Sequence, residues 1–289
     1  MKPVVLYSYR DFPESSQNFS FFFDSVKDLG IPVYIAYDKD GFLHSTQFHS
    51  FDDIHFIKSD GGIDFSDWLM LLKKISIDEY SHVIFINSSC IGPVLPKYVK
   101  KSWVSVLMDL FQGDIHAIGP IIEVPPDSWG QYILEKSKKY DYISPQDTCI
   151  PFIHTYFFML DRIALQCLVE NDFFQENISK DEAIQFYERG LTALLLNKKI
   201  NIRSLLYRDF DKNYLDKKNW SISSSDKALP SCPEIPGNYS GADISPFEAM
   251  FFKNLRYPHG HRDPKVSGIS ESNLAYIENI IKKQSGASS

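Results

Sequence analysis

Cysteine is scarce in this chain of 289 residues, and its four copies lie far apart in the sequence. None of them forms a Cys-x-x-Cys pair, so neither a zinc-site spacing nor a redox motif is present, and a reducing compartment fits best. An uncharged apolar stretch of about 18 residues is also missing, which argues against a spanning helix but leaves peripheral membrane attachment open. The first residues lack the long apolar segment and cleavage site of a signal peptide, so we expect a cytoplasmic protein.

Positive charge is not concentrated anywhere along the chain. The formal net charge is −7 and Lys and Arg are scattered, which argues against duplex nucleic acid as a partner. Hydrophobic residues make up 44% and charged residues 23%, as in ordinary globular proteins, so we expect a folded chain rather than a disordered one. The aromatic residues are interpreted mainly as core, with sugar-stacking surfaces as the alternative.

Segments of strand and helix character alternate along the chain. Strand patterns cover residues 3–9, 31–37, 56–57, 82–86, 115–124, 155–160 and 200–206, and helix patterns cover 18–29, 68–75, 103–111 and 181–197. This alternation predicts an α/β fold with a mostly parallel central sheet. Residues 209–243 are polar and contain several prolines, which is typical of a long surface loop, and residues 246–255 are predicted to return to the core.

The first candidate motif reads Ser-Asp-Gly-Gly-Ile-Asp-Phe and lies between a predicted strand and a predicted helix. Its glycines, Gly61 and Gly62, would let the backbone approach a ligand at the helix N-terminus. Because Asp64 would repel a phosphate, we expect it to contact ribose or sugar hydroxyl groups. Tyr7 and Ser8, at the end of the first strand, are predicted to contact the same nucleotide sugar. An ordinary strand-to-helix turn is the alternative interpretation of the motif.

The second candidate motif follows the clearest strand of the chain. There an apolar run ends abruptly in Asn87, Ser88 and Ser89, followed by Gly-Pro. Ligands of open α/β sheets bind at the carboxyl ends of the strands, so these side chains are predicted to hold the donor. Neutral oxygens bind Mg²⁺ or Mn²⁺ poorly, so either no metal is used or its ligands come from elsewhere. The alternative is that Asn87 and Ser88 only cap a turn.

The third candidate group lies on the last long predicted helix. A carboxylate on such a helix can accept the proton of an attacking hydroxyl group, and Glu188 is the leading candidate for this base. Asp181 is the second catalytic candidate, and Glu182 and Asp147 remain competitors. Asp147 and His154 are predicted to lie on the acceptor side. Ordinary charges on a helix surface would look the same in sequence.

The fourth candidate group combines aromatic residues with cations near the end of the chain. Lys253 and Arg256 are predicted to close over a diphosphate and to supply positive charge in place of a metal ion. A docking helix with a basic edge is the alternative. His259 and His261 form a His-x-His pair without a third ligand, which is weak support for a metal site. No cofactor is therefore predicted with certainty, and Mg²⁺ or Mn²⁺ stays open.

These blocks resemble those of a bacterial polysaccharide-synthesis group, the rhamnan-synthesis protein F type and related O-antigen and capsule glycosyltransferases. The resemblance rests on Ser-Asp-Gly-Gly-Ile-Asp-Phe, then Asn-Ser-Ser-Cys-Ile-Gly-Pro, then Pro-Phe-Glu-Ala-Met-Phe-Phe-Lys-Asn-Leu-Arg, in the same order. It implies a single GT-A-like, Rossmann-type domain over residues 1–256 and an irregular C-terminal extension over 257–289. GT-A glycosyltransferases normally end the equivalent strand in Asp-x-Asp, where this chain has Asn87-Ser88-Ser89, and Ser88 stands where an Asp is common in the resembled group. Asp60, where an Asn often precedes the Gly, is a second departure.

The resemblance implies transfer of a hexose or deoxyhexose from a UDP-, GDP- or dTDP-sugar to a lipid-linked glycan. The acceptor would place the protein in the cytoplasm, with peripheral attachment to the inner membrane or to a synthesis complex left open. Two alternatives remain. One is another nucleotide-dependent transferase or hydrolase on the same sheet, and the other is a non-catalytic scaffold or glycan-binding relative.

Overall fold

The computed structural model describes residues 2–39, 51–124, 149–220, 239, 242–254, 275, 276 and 279. The strands within these ranges are β1 Lys2–Tyr9, β2 Val33–Tyr37, β3 Ile54–Lys58, β4 Tyr80–Asn87, β5 Cys90–Ile91, β6 Ile115–Gly119, β7 Ile122–Glu123, β8 Phe152–Ile153, β9 Phe157–Asp161, β10 Asn201–Ser204 and β11 Phe252–Lys253. The α-helices are α1 Ser15–Val26, α2 Asp64–Leu72, α3 Trp103–Met108, α4 Arg162–Glu170, α5 Lys180–Glu182, α6 Arg189–Asn197 and α7 Pro246–Ala249. Shorter 3₁₀ turns occupy Ile77–Glu79, Tyr207–Asp209 and Lys217–Trp220, and a π-helix occupies Ala183–Glu188.

Seven strands form the central sheet in the order β10, β6, β9, β4, β1, β2, β3. Every neighbouring pair in it is parallel except those made by β9, which runs antiparallel to both β4 and β6. The predicted α/β class with a mostly parallel central sheet is confirmed. Two small sheets lie outside the central sheet, one formed by β5 and β11 and the other by β7 and β8. The domain division expected after Arg256 lies outside the described residues.

The sheet is covered on both faces, and the alternation along β1 shows how. Val4 and Leu6 pack in one cluster with Trp68 of α2, whereas Val5 and Tyr7 pack in another with Phe19 of α1. Successive side chains of a strand point to opposite faces, so neighbouring residues of β1 must serve different layers. Tyr7 is therefore committed to the α1 layer and Ser8 to the α2 layer.

Several predicted bounds differ from those observed, for physical reasons. The single strand expected over residues 115–124 is two strands, because Pro120 follows Gly119 and lacks the N–H that would continue the ladder. The helix expected over 181–197 is interrupted by the π-helix. Helix α4 was not anticipated; Asp161 caps it by accepting a hydrogen bond from the Ala164 N–H at 3.0 Å. Helix α1 begins and ends three residues earlier than expected.

Residues 246–255 do return to the core, as far as residue 254, where the described segment ends. Phe251 is fully buried and stacks on Phe157 with ring centroids 3.9 Å apart. Of the helices in the described ranges, none combines the length and the apolar character needed to cross a bilayer.

Candidate functional site

A cavity of about 410 Å³ opens where β1, β4 and the N-terminus of α2 meet. Its volume lies within the range of small-molecule sites, roughly 300 to 1,000 Å³. The cavity is at the carboxyl ends of the parallel strands β1 and β4, which is where ligands of open α/β sheets bind. The residues that line it are Arg10, Phe12, Gly62, Ile63, Asp64, Phe65, Asn87, Ser88, Ser89, His154, Thr155, Tyr156, Lys180, Ala183, Ile184, Glu188 and Lys253.

The turn after β4 forms one wall, and its polar atoms are held by local hydrogen bonds. Asn87 Oδ1 accepts from the Ser89 N–H at 3.1 Å and from Ser89 Oγ at 2.5 Å. Asn87 Nδ2 donates to Asp64 Oδ2 at 2.7 Å. Ser88 Oγ accepts from the Arg10 N–H at 2.9 Å and donates to the Arg10 carbonyl at 3.0 Å. These bonds fix the ends of β1 and β4 against each other and against α2.

The floor of the cavity contains buried carboxylates around one guanidinium group. Ser8 Oγ lies 2.6 Å from Asp67 Oδ2 and 3.2 Å from Asp64 Oδ1. Arg10 Nη2 donates to Asp67 Oδ2, and Arg10 Nη1 lies 3.5 Å from Asp38 Oδ2. Burial raises the pKa of Asp64, the charge of Asp67 adds to this, and the bonds from Asn87 and Ser8 oppose it. Burial also raises the pKa of Asp67, although the Arg10 charge opposes it.

The opposite wall carries Glu188, the last residue of the π-helix. Its Oε1 accepts a hydrogen bond from the Thr155 N–H at 3.3 Å, so the carboxylate is fixed at the cavity surface. π-Helical turns are rare and are frequent at functional sites. The preceding turn is well anchored, because Ser179 and Glu182 form a reciprocal capping box.

Charged and polar side chains support this wall, and one of them, His154, lines the cavity. His154 Nε2 donates to Glu123 Oε2 at 3.0 Å, and the His154 ring stacks on Phe152 with centroids 5.4 Å apart. The Arg189 guanidinium lies over the Phe152 ring at 5.4 Å. Burial lowers the pKa of Arg189, while the charges of Glu123 and Glu188 oppose the shift. The wall therefore combines a cation with two carboxylates and an imidazole.

No model of a protein family matches this sequence, and no curated protein matches it either. Solved structures similar to the chain include a glycosyltransferase involved in the glycosylation of the major capsid of PBCV-1, 11% identical over 71% of this chain and 84% of that one, with a TM-score of 0.36. Core-mannan synthase A of Aspergillus fumigatus, solved with Mn and GDP, is 12% identical over 86% and 82%, with a TM-score of 0.37. An inositol-1-phosphate CTP transferase from T. maritima is 10% identical over 71% and 84%, with a TM-score of 0.39. These neighbours include both glycosyltransferases and a nucleotidyltransferase.

The cavity brings together many of the residues singled out from the sequence, drawn from all four motifs. They are Gly62, Asp64, Asn87, Ser88, Ser89, His154, Glu188 and Lys253. They come from positions spread over nearly 200 residues of sequence, so the fold rather than sequence proximity assembles them. Their roles toward a substrate stay predictions.

Other predicted residues are not at the cavity surface. Tyr7 is fully buried against Phe19, because its position on β1 points to the α1 layer. Ser8 lies beneath the floor, where it hydrogen-bonds to Asp64 and Asp67. Gly61 takes a positive φ of 82° just before the cavity-lining Gly62, which suits a residue without a Cβ.

Asp181 is exposed in the first turn of α5 and does not line the cavity. Asp147 and Arg256 lie outside the described residues. Glu248, which is part of the last motif, accepts from the Tyr207 N–H at 2.5 Å and from the Tyr239 hydroxyl group, so it joins α7 to the segment after β10 and to Tyr239.

The cavity residues that sequence reasoning missed include Arg10, Phe12 and Lys180. Arg10 directly follows β1, and Asn87 is the last residue of β4, so both lie at the carboxyl edge of the sheet. That position could have identified Arg10 as a site residue from the sequence. Lys180 opens the helical segment that ends in Glu188. It follows Ser179, whose N-cap pattern is visible in the sequence.

Asp64 and Glu188, the two carboxylates that line the cavity, both form hydrogen bonds within the protein. In the described ranges no group of three or more His, Cys, Asp or Glu side chains is placed to hold a metal ion. Asp64 is the carboxylate beside the strand end, and both of its oxygens lie within hydrogen-bond distance of Asn87 or Ser8. Mg²⁺ and Mn²⁺ favour carboxylate and water oxygens that are free to coordinate. The use of Mg²⁺ or Mn²⁺, which the sequence leaves open, requires a chemical test.

Proposed function

We propose that this protein is a glycosyltransferase that takes a hexose or deoxyhexose from a nucleotide sugar. The observation that carries the proposal is the make-up of the cavity, in which cations and a fixed carboxylate face one space. Lys180 and Lys253 supply positive charge at its surface beside Arg10, which is paired with Asp67 and Asp38, and Glu188 supplies the carboxylate. Positive charge suits a departing diphosphate, and a carboxylate suits an attacking hydroxyl group.

The chemistry divides between the two walls. On the strand-end wall, Asn87, Ser88 and Ser89 hold the sugar and phosphate region of the donor, with Lys253 stabilising the charge that develops on the leaving diphosphate. On the helical wall, Glu188 accepts the proton of the acceptor hydroxyl group as that oxygen attacks the anomeric carbon. The bond from that carbon to the diphosphate breaks as the new glycosidic bond forms.

Asp64 is proposed to contact hydroxyl groups of the donor rather than its phosphates, because a buried carboxylate beside Asp67 repels an anion. The remaining predicted residues take indirect parts. Ser8 supports Asp64 from below, and His154 borders the acceptor side. Asp181 is retained as the alternative base if substitution of Glu188 has no effect. Arg256, which lies outside the described residues, is proposed to add positive charge toward the diphosphate.

The acceptor is proposed to be a lipid-linked glycan of a surface polysaccharide. The resemblance of the three sequence blocks to polysaccharide-synthesis transferases supports this choice. Residues 1–256 would form the transferase domain, acting in the cytoplasm or at the inner face of the membrane.

A panel of UDP-, GDP- and dTDP-sugars, each added to the intact protein in a thermal-shift experiment, tests the proposal. A donor that binds the folded state raises the melting temperature by mass action. Any donor that binds is then tested for nucleotide diphosphate release with lipid-linked acceptors. Failure of every sugar nucleotide to bind would refute the proposal. Binding without transfer to any acceptor would favour a non-catalytic relative, and pyrophosphate release from a nucleoside triphosphate and a sugar phosphate would favour a nucleotidyltransferase.

A further inference from the structure

Asn18 lies in the middle of α1 and is completely buried, although the residues around it on the helix are largely phenylalanine. Asparagine has a lower helix propensity than apolar residues such as leucine, and a buried side-chain amide needs hydrogen-bond partners. Its Nδ2 donates to the Ser88 carbonyl at 2.8 Å and to the Asn254 carbonyl at 3.2 Å. Its Oδ1 accepts from Asn254 Nδ2 at 2.8 Å. The amide of Asn18 thus joins two segments 166 residues apart in sequence, the turn after β4 and the end of β11.

The same two segments are also in direct contact. The Asn254 N–H donates to the Ser89 carbonyl at 2.6 Å, and Lys253 pairs with Cys90 in the short antiparallel ladder of β11 and β5. A Cβ added to Gly92 would lie 2.6 Å from a ring carbon of Phe251, so the chain after β5 fits closely against the segment before β11. Lys253 is therefore placed at the cavity by contacts that converge on the strand-end turn.

We infer that Asn18 is a positioning residue that sets Lys253 and the Ser88 to Ser89 turn as one wall of the candidate site. The inference rests on the proposed function, because it assigns the wall a part in binding the donor diphosphate. Asn18 itself does not line the cavity. It acts through its hydrogen bonds to the carbonyl groups of Ser88 and Asn254. One bond holds the backbone next to Lys253, and the other holds the turn that carries the serine hydroxyl groups.

The test compares Asn18→Ala with Asn201→Ala in the full chain. Asn201 is a matched control: it is also buried and also makes three side-chain hydrogen bonds, with Asp114, Ile202 and Tyr214. It lies on β10 at the far edge of the sheet. Hydrogen exchange of the backbone amides at residues 89 and 252–254 reports the wall directly. Titration with UDP, GDP and dTDP reports diphosphate binding.

Asn18→Ala is expected to speed exchange at those amides and to weaken the nucleotide Kd by about tenfold or more, whereas Asn201→Ala changes neither. If the loss acts through Lys253, the double variant with Lys253→Ala weakens Kd little beyond the larger of the two single losses. Fully additive losses, or unchanged exchange in Asn18→Ala, would overturn the inference.

Should Asn18→Ala not fold, Asn254→Ala provides the same test, because it removes one of the three bonds and keeps the backbone contact to Ser89. Faster amide exchange in Asn18→Ala would uphold the positioning of the wall, even if the wild-type protein bound no nucleotide. Absence of nucleotide binding by the wild-type protein would refute the proposed function. The two ideas therefore fail on different measurements.

Discussion

Substitution of Glu188 by Gln is the sharpest perturbation that the structure offers. The side chain keeps its shape, and the amide oxygen can still accept from the Thr155 N–H, a bond of 3.3 Å in the wild-type protein. The carboxylate is lost, and with it the base that the proposed function requires for the acceptor hydroxyl group. Because folding and donor contacts are retained, the change isolates the chemical step.

The expected loss follows from the usual contribution of a general base. Removal of such a group costs about 10² to 10⁴ in rate, equivalent to about 3 to 5 kcal/mol of activation free energy. Nucleotide diphosphate release at saturating donor and acceptor measures kcat, and calorimetry measures donor Kd. We expect kcat to fall by that factor, with Kd within about twofold of wild type.

Glu182→Gln is the matched control for this experiment. It is the same chemical change six residues earlier, on a side chain that does not line the cavity and whose capping-box bond to the Ser179 N–H a glutamine can also make. Turnover of Glu188→Gln within about twofold of wild type would refute the assignment. An equal loss in Glu182→Gln would show that the helical segment, not the one carboxylate, is what matters.

Three further predictions concern charge at the site. Lys253→Ala should weaken donor Kd by about tenfold or more, whereas Lys101→Ala, an exposed lysine paired with Asp109, should not; equal Kd values would contradict the role of Lys253. Transfer should persist in excess EDTA, and loss of activity that Mn²⁺ restores would show that an ion is bound after all. Burial raises the pKa of Asp64 in the folded state. The folded protein therefore keeps a proton on Asp64 that the unfolded chain releases above about pH 4. As a result, the free energy of unfolding falls as the pH rises from about 4 through the pKa of Asp64 in the folded state. Asp64→Asn should flatten that fall in urea titrations, and an unchanged slope would contradict it.

The order of strands and helices could be read from the sequence because each element carries its own periodicity. The apolar run before Asn87 and the glycines before α2 gave the correct edge of the sheet, since parallel strands bring their carboxyl ends together. Strand direction could not be predicted in the same way. β9 is apolar like its neighbours, and nothing in its pattern distinguishes an antiparallel strand from a parallel one.

Side-chain orientation was a second reason why the site could be predicted only in part from the sequence. Tyr7 and Ser8 were both expected at the ligand, yet adjacent strand residues point to opposite faces, so at most one of the two could be on the ligand's side of the sheet. Contacts between distant segments were a third reason. Asn18 and Asn254 are 236 positions apart, and no local sequence pattern at either residue predicts their contact.

The hydrogen bonds of Asn87 bear directly on how charge is handled at the strand end. Its oxygen accepts from Ser89 twice and its nitrogen donates to Asp64, so both ends of the amide are engaged within the protein. An ion bound by Asn87 would have to displace these bonds and would gain only a neutral ligand. Arg10 is already paired with Asp67 and Asp38, which reduces the positive charge it offers. Under the proposed function, Lys180 and Lys253, which also line the cavity, share the charge of a departing diphosphate, and we infer that the position of Lys253 depends on the buried amide of Asn18.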